Sequence, residues 1–188
     1  MRAKEPGQSV LMMLDVADAL TARQIQYAVI GAMAAAVHGA VRASLDADAI
    51  VAIQIPDAQH LRREFEASGL KAQLRLGDTE DPIAALLALS DRHGNRVDLV
   101  IGLRGMDPDV YARSSLVPFS GEFVRVVGRE DFIAMKAFAG GPQDISDAGI
   151  AIAANPQSLD LELLRRLALR FGRGTARTLE ELLTEPTS

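Results

Sequence analysis

The sequence predicts an α+β fold followed by a small C-terminal helical bundle. Three observations carry that reading. Short apolar runs of strand length alternate with helical patterns over residues 1–128. From Glu130 onward every pattern is helical. Hydrophobic residues make up 48% of the 188 residues, enough for a sizeable core and against global disorder. We therefore divide the chain into an α+β region, 1–128, and a helical region, 129–188, which could pack together as one domain.

The elements follow in order. Ser9 to about Gln24 reads as a helix, because Leu11, Leu14, Val16, Ala17 and Leu20 recur at near-helical spacing and Ser9 suits a cap. Gln26–Ile30 is a short strand, and Gly31 then opens an alanine-rich helix that Gly39 ends. Asp46–Ile53 is the second strand. Pro56-Asp57 starts a helix running to about Ser68 with Leu61 and Phe65 inward, and 71–76 reads as a strand. Ile83–Ser90 is rich in alanine and leucine, which favour helix. A strand is preferred because DRHGNR supplies a turn at Gly94-Asn95 ahead of a clear strand, Val97–Ile101. Pro108–Ser114 is a short helix and Glu122–Val127 a strand, with Phe123 and Val127 flanking Arg125. Helices then cover about 130–140, 144–154, 159–171 and 174–184, broken at Gly140-Gly141-Pro142. The closing TEPTS reads as a frayed tail.

Composition narrows the function. A net charge of −5 argues against a broad nucleic-acid footprint, though not against a local basic groove. Aromatics are 4% with no Trp, so stacking platforms are scarce. No cysteine means no disulfide, thiolate metal site or cysteine nucleophile, and His38, His60 and His93 lack zinc-like spacing. No apolar run reaches the roughly 18 residues of a membrane span, and the N-terminus, interrupted by Asp15 and Asp18, reads as a helix start. The expected location is the cytoplasm, with no membrane partner.

The chemistry gathers around aspartates. Asp46 and Asp48 are two apart in a strand and so point to one face. At ~4 Å two such charges repel by roughly 1 kcal/mol in water and roughly 4 at an effective dielectric of 20, so water, a basic residue or a metal must compensate. In NRVDLVIG, Val97, Leu99 and Ile101 take one strand face and Arg96, Asp98 and Val100 the other. Asp46, Asp48 and Asp98 together would form an oxygen-only site of the type that Mg²⁺ prefers. The plainer reading stands beside it: a D-x-D pair alone is ordinarily a solvated turn, and Asp98 could pair with Arg42, Arg96 or Arg125.

The ordered set YAVIGAMAAAVHGAVRASLDADAIVAI resembles the opening of the nucleotidyltransferase superfamily with the polymerase-beta-like fold, in particular its bacterial AbiEii-type toxin branch. This chain supplies Gly31 at the turn, His38-Gly39, Arg42, Ser44, Asp46 and Asp48. GNRVDLVIG is similar to the strand carrying the family's third aspartate, here Asp98. REDFIAMKAFAGGPQDISDAGIA looks like a downstream element matching Lys136, Asp144 and Asp147. The resemblance spans about residues 26–154 and implies a mixed sheet flanked by helices. It implies catalytic Asp46, Asp48, Asp98 and Lys136. The three aspartates would be ligands of Mg²⁺ (or Mn²⁺), with Asp98 as a ligand or as the base for an attacking hydroxyl. Gly31, Ala32, Arg42, Ser44, Lys136 and Asp144 would bind the nucleotide, Gly31 by letting the backbone approach the phosphates. The implied reaction transfers a nucleoside monophosphate from an NTP to a hydroxyl of an RNA such as tRNA, a protein or a small molecule, and the branch implies a cognate antitoxin. The chain departs from the pattern at Ala32, where the family usually has Gly, Ser or Thr, and at Ala49 and Ala52.

Other readings remain open. A member of the same fold could bind nucleotide or a partner without turnover, and a plain interaction protein would show no metal-dependent nucleotide binding. His38 suits helix-end packing better than catalysis. Arg42 suits either a phosphate contact or an ion pair with Asp46 or Asp48. Lys136 could snorkel to solvent. Asp144 and Asp147 could simply cap a helix. Arg165, Arg166, Arg170, Arg173 and Arg177 read as a solvated helical face, and also as the best candidate for contact with a nucleic-acid acceptor.

Overall fold

The structure is a computed structural model and describes residues 1–184. Among them, seven strands form one mixed sheet in the order β3-β4-β5-β2-β1-β7-β6. The strands are β1 (Tyr27–Ile30), β2 (Asp46–Val51), β3 (Lys71–Leu76), β4 (Ile83–Ser90), β5 (Arg96–Leu103), β6 (Ser115–Phe119) and β7 (Glu122–Val126). The pairings β2–β5 and β1–β7 are parallel and the others antiparallel. The helices are α1 (Ser9–Ala22), α2 (Gly31–Val37), α3 (Ile55–Ala67), α4 (Val110–Arg113), α5 (Arg129–Ala139), α6 (Pro142–Ala154), α7 (Leu161–Phe171) and α8 (Arg173–Thr184), with a short 3-10 turn at Pro156–Ser158.

Strand periodicity sorts the residues by face. Leu87, Leu89, Val97, Leu99, Ala47, Ala49 and Val51 are buried on the face that α1 and α3 cover. Asp46, Asp48 and Asp98 lie on the opposite face. The helices α5, α7 and α8 pack on one another, and the hydrophobic core runs continuously from Ala3 through Phe132 and Leu164 to Leu179. The expected mixed sheet, flanking helices and helical C-terminal region are therefore present.

The ambiguous Ile83–Ser90 is a strand paired on both sides, and its residues alternate in burial. The turn before β5 is built from side chains: buried Asp91 accepts from the Asn95 amide nitrogens, and Asn95 Oδ1 accepts from the Gln8 backbone at 2.6 Å. Ser9 does not cap α1, since the N-cap position falls on Gln8. The buried Ser9 hydroxyl instead donates to the Leu45 carbonyl at 2.6 Å and accepts from the Arg96 amide at 3.0 Å. It thus ties α1 to the residue just before β2 and to the first residue of β5.

One strand has no forecast in the sequence. β6 carries Pro118, which removes a donor and ordinarily argues against a strand. It sits at the sheet edge and pairs on one side only, with β7, so the missing donor breaks no second ladder. Several boundaries also shift: β2 ends at Val51, β5 spans Arg96–Leu103, α4 spans only Val110–Arg113, and α6 begins at Pro142, where proline suits the first turn. Gly140, at φ 68°, ends α5 in the left-handed conformation and produces the expected break. Of the TEPTS tail, Thr184 ends α8 and residues 185–188 lie outside the described residues.

Candidate active site

The parallel register of β2 and β5 makes Asp48 the Cα partner of Asp98, and Asp46 that of Arg96. Partners directly across a ladder share a face, so the three aspartates lie on one face of the sheet. Of the departures at Ala49 and Ala52, Ala49 is buried on the opposite face and Ala52 is exposed just beyond the end of β2.

The antiparallel strand β1 places Ile30 opposite Asp48, and Gly31 follows at φ +61°. A Cβ on residue 31 would overlap Asp48 Oδ2 and stand 3.0 Å from its Cγ. Glycine is therefore required both by its backbone conformation and by the carboxylate beside it. Ala32 is buried.

The charges on this face are only partly compensated. Burial, then the neighbouring Asp46 and Asp98 charges, push Asp48 up to about 6, against the pull of Lys136 and Arg42. Burial also raises Asp98, opposed mainly by Arg96, whose guanidinium is 3.9 Å from Asp98 Oδ2. Of the three arginines considered for Asp98, Arg96 is the one that pairs. Asp98 Oδ1 is buried with no hydrogen-bond partner among the described residues. Asp46 Oδ1 accepts from the Ser44 hydroxyl at 2.8 Å. Among the described residues, no three or more His, Cys, Asp or Glu side chains close into a metal cage.

A second cluster borders the first. Lys136 is buried in α5 and does not snorkel. Its Nζ lies 2.7 Å from Asp144 Oδ1, 3.0 Å from Asp147 Oδ2 and 5.7 Å from the Phe132 ring centre. Asp147, 0% exposed, also takes Arg42 at 3.3 Å and the Gln143 amide at 2.9 Å. Burial works against ionising Asp147, yet these hydrogen bonds and the Lys136 and Arg42 charges hold it below the usual carboxylate range. The expected partners of Arg42, Asp46 and Asp48, are thus replaced by Asp147. Asp147 is more than a helix-cap carboxylate: it anchors both cations that act on Asp48. Asp144 does occupy the first turn of α6, while its carboxylate holds Lys136.

His38 is a packing residue. Its Nε2 is 2.9 Å from the Val127 carbonyl, its ring is 5.1 Å from that of Phe132, and burial lowers its pKa. The arginine-rich helical face is largely engaged within the chain. Arg165 pairs with Glu180, while Arg166 and Arg170 reach buried Asp107 at 3.4 and 3.6 Å. Sequence spacing gave no sign of Asp107, which also takes Arg113, itself doubly bonded to Asp131.

No family model matches the chain, and no curated protein matches it. Solved structures do. ANT(2'')-Ia in complex with adenylyl-2''-tobramycin aligns at 14% identity and TM-score 0.60, over 87% of this chain and 97% of that one. An antigenic nucleotidyltransferase-like protein from Paracoccidioides brasiliensis aligns at 17% and 0.53, over 95% of each. The lincosamide antibiotic adenylyltransferase LnuA, lincomycin-bound, aligns at 10% and 0.51, over 79% and 98%. The chain therefore has the nucleotidyltransferase fold. Among the described residues no helix is long and apolar enough to cross a membrane.

Proposed function

We propose that this protein transfers a nucleoside monophosphate from an NTP to a hydroxyl group, with Mg²⁺ or Mn²⁺ held by Asp48 and Asp98 and supported by Asp46. The observation that carries the reading is the facing Asp48–Asp98 pair with its unpartnered Asp98 Oδ1. Two neighbouring carboxylates and a buried oxygen lacking a donor fit a hard divalent cation whose remaining ligands come from phosphate oxygens and water. Such a cation would neutralise charge on the triphosphate.

The chain's own groups do the rest. Lys136 places a fixed positive charge near Asp48, with its amine oriented by Asp144 and Asp147. Gly31 leaves room for the Asp48 carboxylate, and Ala32 offers backbone but no hydroxyl. Ser44 holds Asp46, and Arg42 holds Asp147. Asp98 accepts the proton of the acceptor hydroxyl. The hydroxyl oxygen bonds to the α-phosphorus, the bond from that phosphorus to the β-bridging oxygen breaks, and pyrophosphate leaves.

Structures of similar fold carrying adenylyl-tobramycin or lincomycin support a small-molecule acceptor. The order of motifs from Gly31 to Asp147 supports the AbiEii-type branch, with an RNA or protein acceptor and an antitoxin. A non-catalytic nucleotide-binding role is favoured by one observation: the Lys136 charge is already paired with two carboxylates. Incubation with labelled NTPs and Mg²⁺ in cell extract, beside Asp48→Asn, is the test. Asp48-dependent label transfer supports the enzyme. Metal-dependent nucleotide binding without transfer supports the second role, and no binding overturns both.

A further inference from the structure

The aspartate face of the sheet continues past Asp98 to the β3 edge, and its character changes there from acidic to basic. Register defines two rows across the strands. One runs Asp46, Arg96, Ser90, Lys71 and the next Asp48, Asp98, Ala88, Gln73, with Arg75 two residues further along β3 on the same face. Ala88 and Ser90 are small, so they leave a trough between the β3 side chains and Asp98. An open cavity of about 430 Å³ lies over the β3–β4 pair, lined by residues 71–73, Arg75, residues 88–90 and Arg96, and Asp98, the register partner of Ala88, borders it.

Three cations converge on this trough in a chain whose net charge is −5. Lysine on an edge strand has an ordinary use in blocking edge-to-edge pairing. That does not account for Arg96, which is on a central strand, or for Arg75, whose charge reaches Asp98. Adjacent strands lie roughly 4.8 Å apart, so β3 stands about 10 Å from Asp98 across the trough. A sugar-phosphate spans a distance of that order when its hydroxyl lies at Asp98.

We infer that the acceptor carries a phosphate group, seated on Lys71, Arg75 and Arg96 in this trough with its reacting hydroxyl toward Asp98. The inference rests on the nucleotidyl-transfer reading and names the acceptor class for it. A cationic acceptor would meet like charge there.

The test uses the full chain and two variants, Lys71→Gln/Arg75→Gln and Lys71→Glu/Arg75→Glu. Both positions are exposed, so little stability is at stake. Calorimetric titrations compare ribose 5-phosphate with ribose, and each with a short single-stranded oligoribonucleotide. Mg²⁺-NTP affinity is measured alongside. The expected result is that ribose 5-phosphate binds and ribose does not, and that the glutamate variant loses affinity by about tenfold or more with the glutamine variant between. Mg²⁺-NTP affinity should change by much less than phosphate affinity does. Much tighter binding of the oligoribonucleotide, lost in the same variants, would also support the inference and assign the phosphate to a polynucleotide. Equal binding of ribose and its phosphate, or wild-type affinity in both variants, overturns it. A parallel loss of Mg²⁺-NTP affinity overturns it too, since the cations would then serve the nucleotide. Failure of the nucleotidyl-transfer reading looks different: no Mg²⁺-NTP binding in any protein, whatever the phosphate result.

Discussion

Asp48 and Asp98 are Cα partners in two parallel strands, so two partly buried carboxylates share one face, and Asp98 keeps an oxygen without a donor among the described residues. This arrangement opposes folding. Asp48 sits at about 6 in the folded chain against an ordinary 3.8. A raised carboxylate destabilises the fold when ionised. The penalty is absent below the unfolded value, grows through the window from 3.8 to about 6, and is complete above it. The shift corresponds to roughly 3 kcal/mol. Asp98, also raised, adds with the same sign.

Asp48→Asn should therefore melt higher than wild type at pH 7.5 without ligand, and the gap should narrow as pH falls through 6 toward 4. The comparison removes the opposite contributions of Asp107 and Asp147, which are depressed and stabilise above their unfolded values in both proteins. Melting curves across this range check it. A variant no more stable than wild type at pH 7.5 would show that the pair is already relaxed.

Ligand should reverse that order. At an Mg²⁺-NTP concentration 100 times its dissociation constant, wild type should gain about 2.7 kcal/mol of stability. Asp48→Asn and Asp98→Asn should gain little, because each removes a carboxylate from the proposed metal site. Thermal shift with and without Mg²⁺ is the measurement. An equal gain in both variants would place the nucleotide elsewhere.

Gly31→Ala separates backbone strain from crowding. A left-handed alanine costs roughly 1–2 kcal/mol alone. The added Cβ also overlaps Asp48 Oδ2. The single variant should lose more than that strain, and Gly31→Ala/Asp48→Ala should recover the excess. Denaturant unfolding of both variants and of Asp48→Ala closes the cycle. Simple additivity would show that the carboxylate swings away freely.

Much of this was legible in the sequence, for physical reasons. Period-two alternation identified the strands that carry Asp46, Asp48 and Asp98, and one buried face leaves the carboxylates only the other. Gly31, His38, Lys136 and Asp144 lie on the elements expected of them. What escaped depends on contacts distant in the chain. Arg42 bonds Asp147, 105 residues away, where local spacing suggested Asp46 or Asp48. Ser9 resembles a cap, but its hydroxyl is claimed by β2 and β5. β6 was hidden by Pro118, which only an edge position tolerates. Arg166 and Arg170 look like a solvated face until Asp107 is brought beneath them by the fold.

Lys136 tests whether the second cluster is scaffold, site or both. Asp147 is wholly buried, and Lys136 is one of two cations beside it. Removing one partner of a buried pair typically costs 3–5 kcal/mol, because the other charge is left uncompensated, so Lys136→Met should fall near about 3 with Arg42 retained. Lys136→Met/Asp147→Leu removes both charges and should recover part of the loss. The site is read from what does not recover. Lys136 also acts on Asp48 through its charge, so the double variant should bind Mg²⁺-NTP at least about tenfold more weakly even where its stability is restored. Unfolding curves and nucleotide titrations on the same preparations give both quantities. Recovery of stability together with wild-type nucleotide affinity would confine Lys136 to holding α5 against α6.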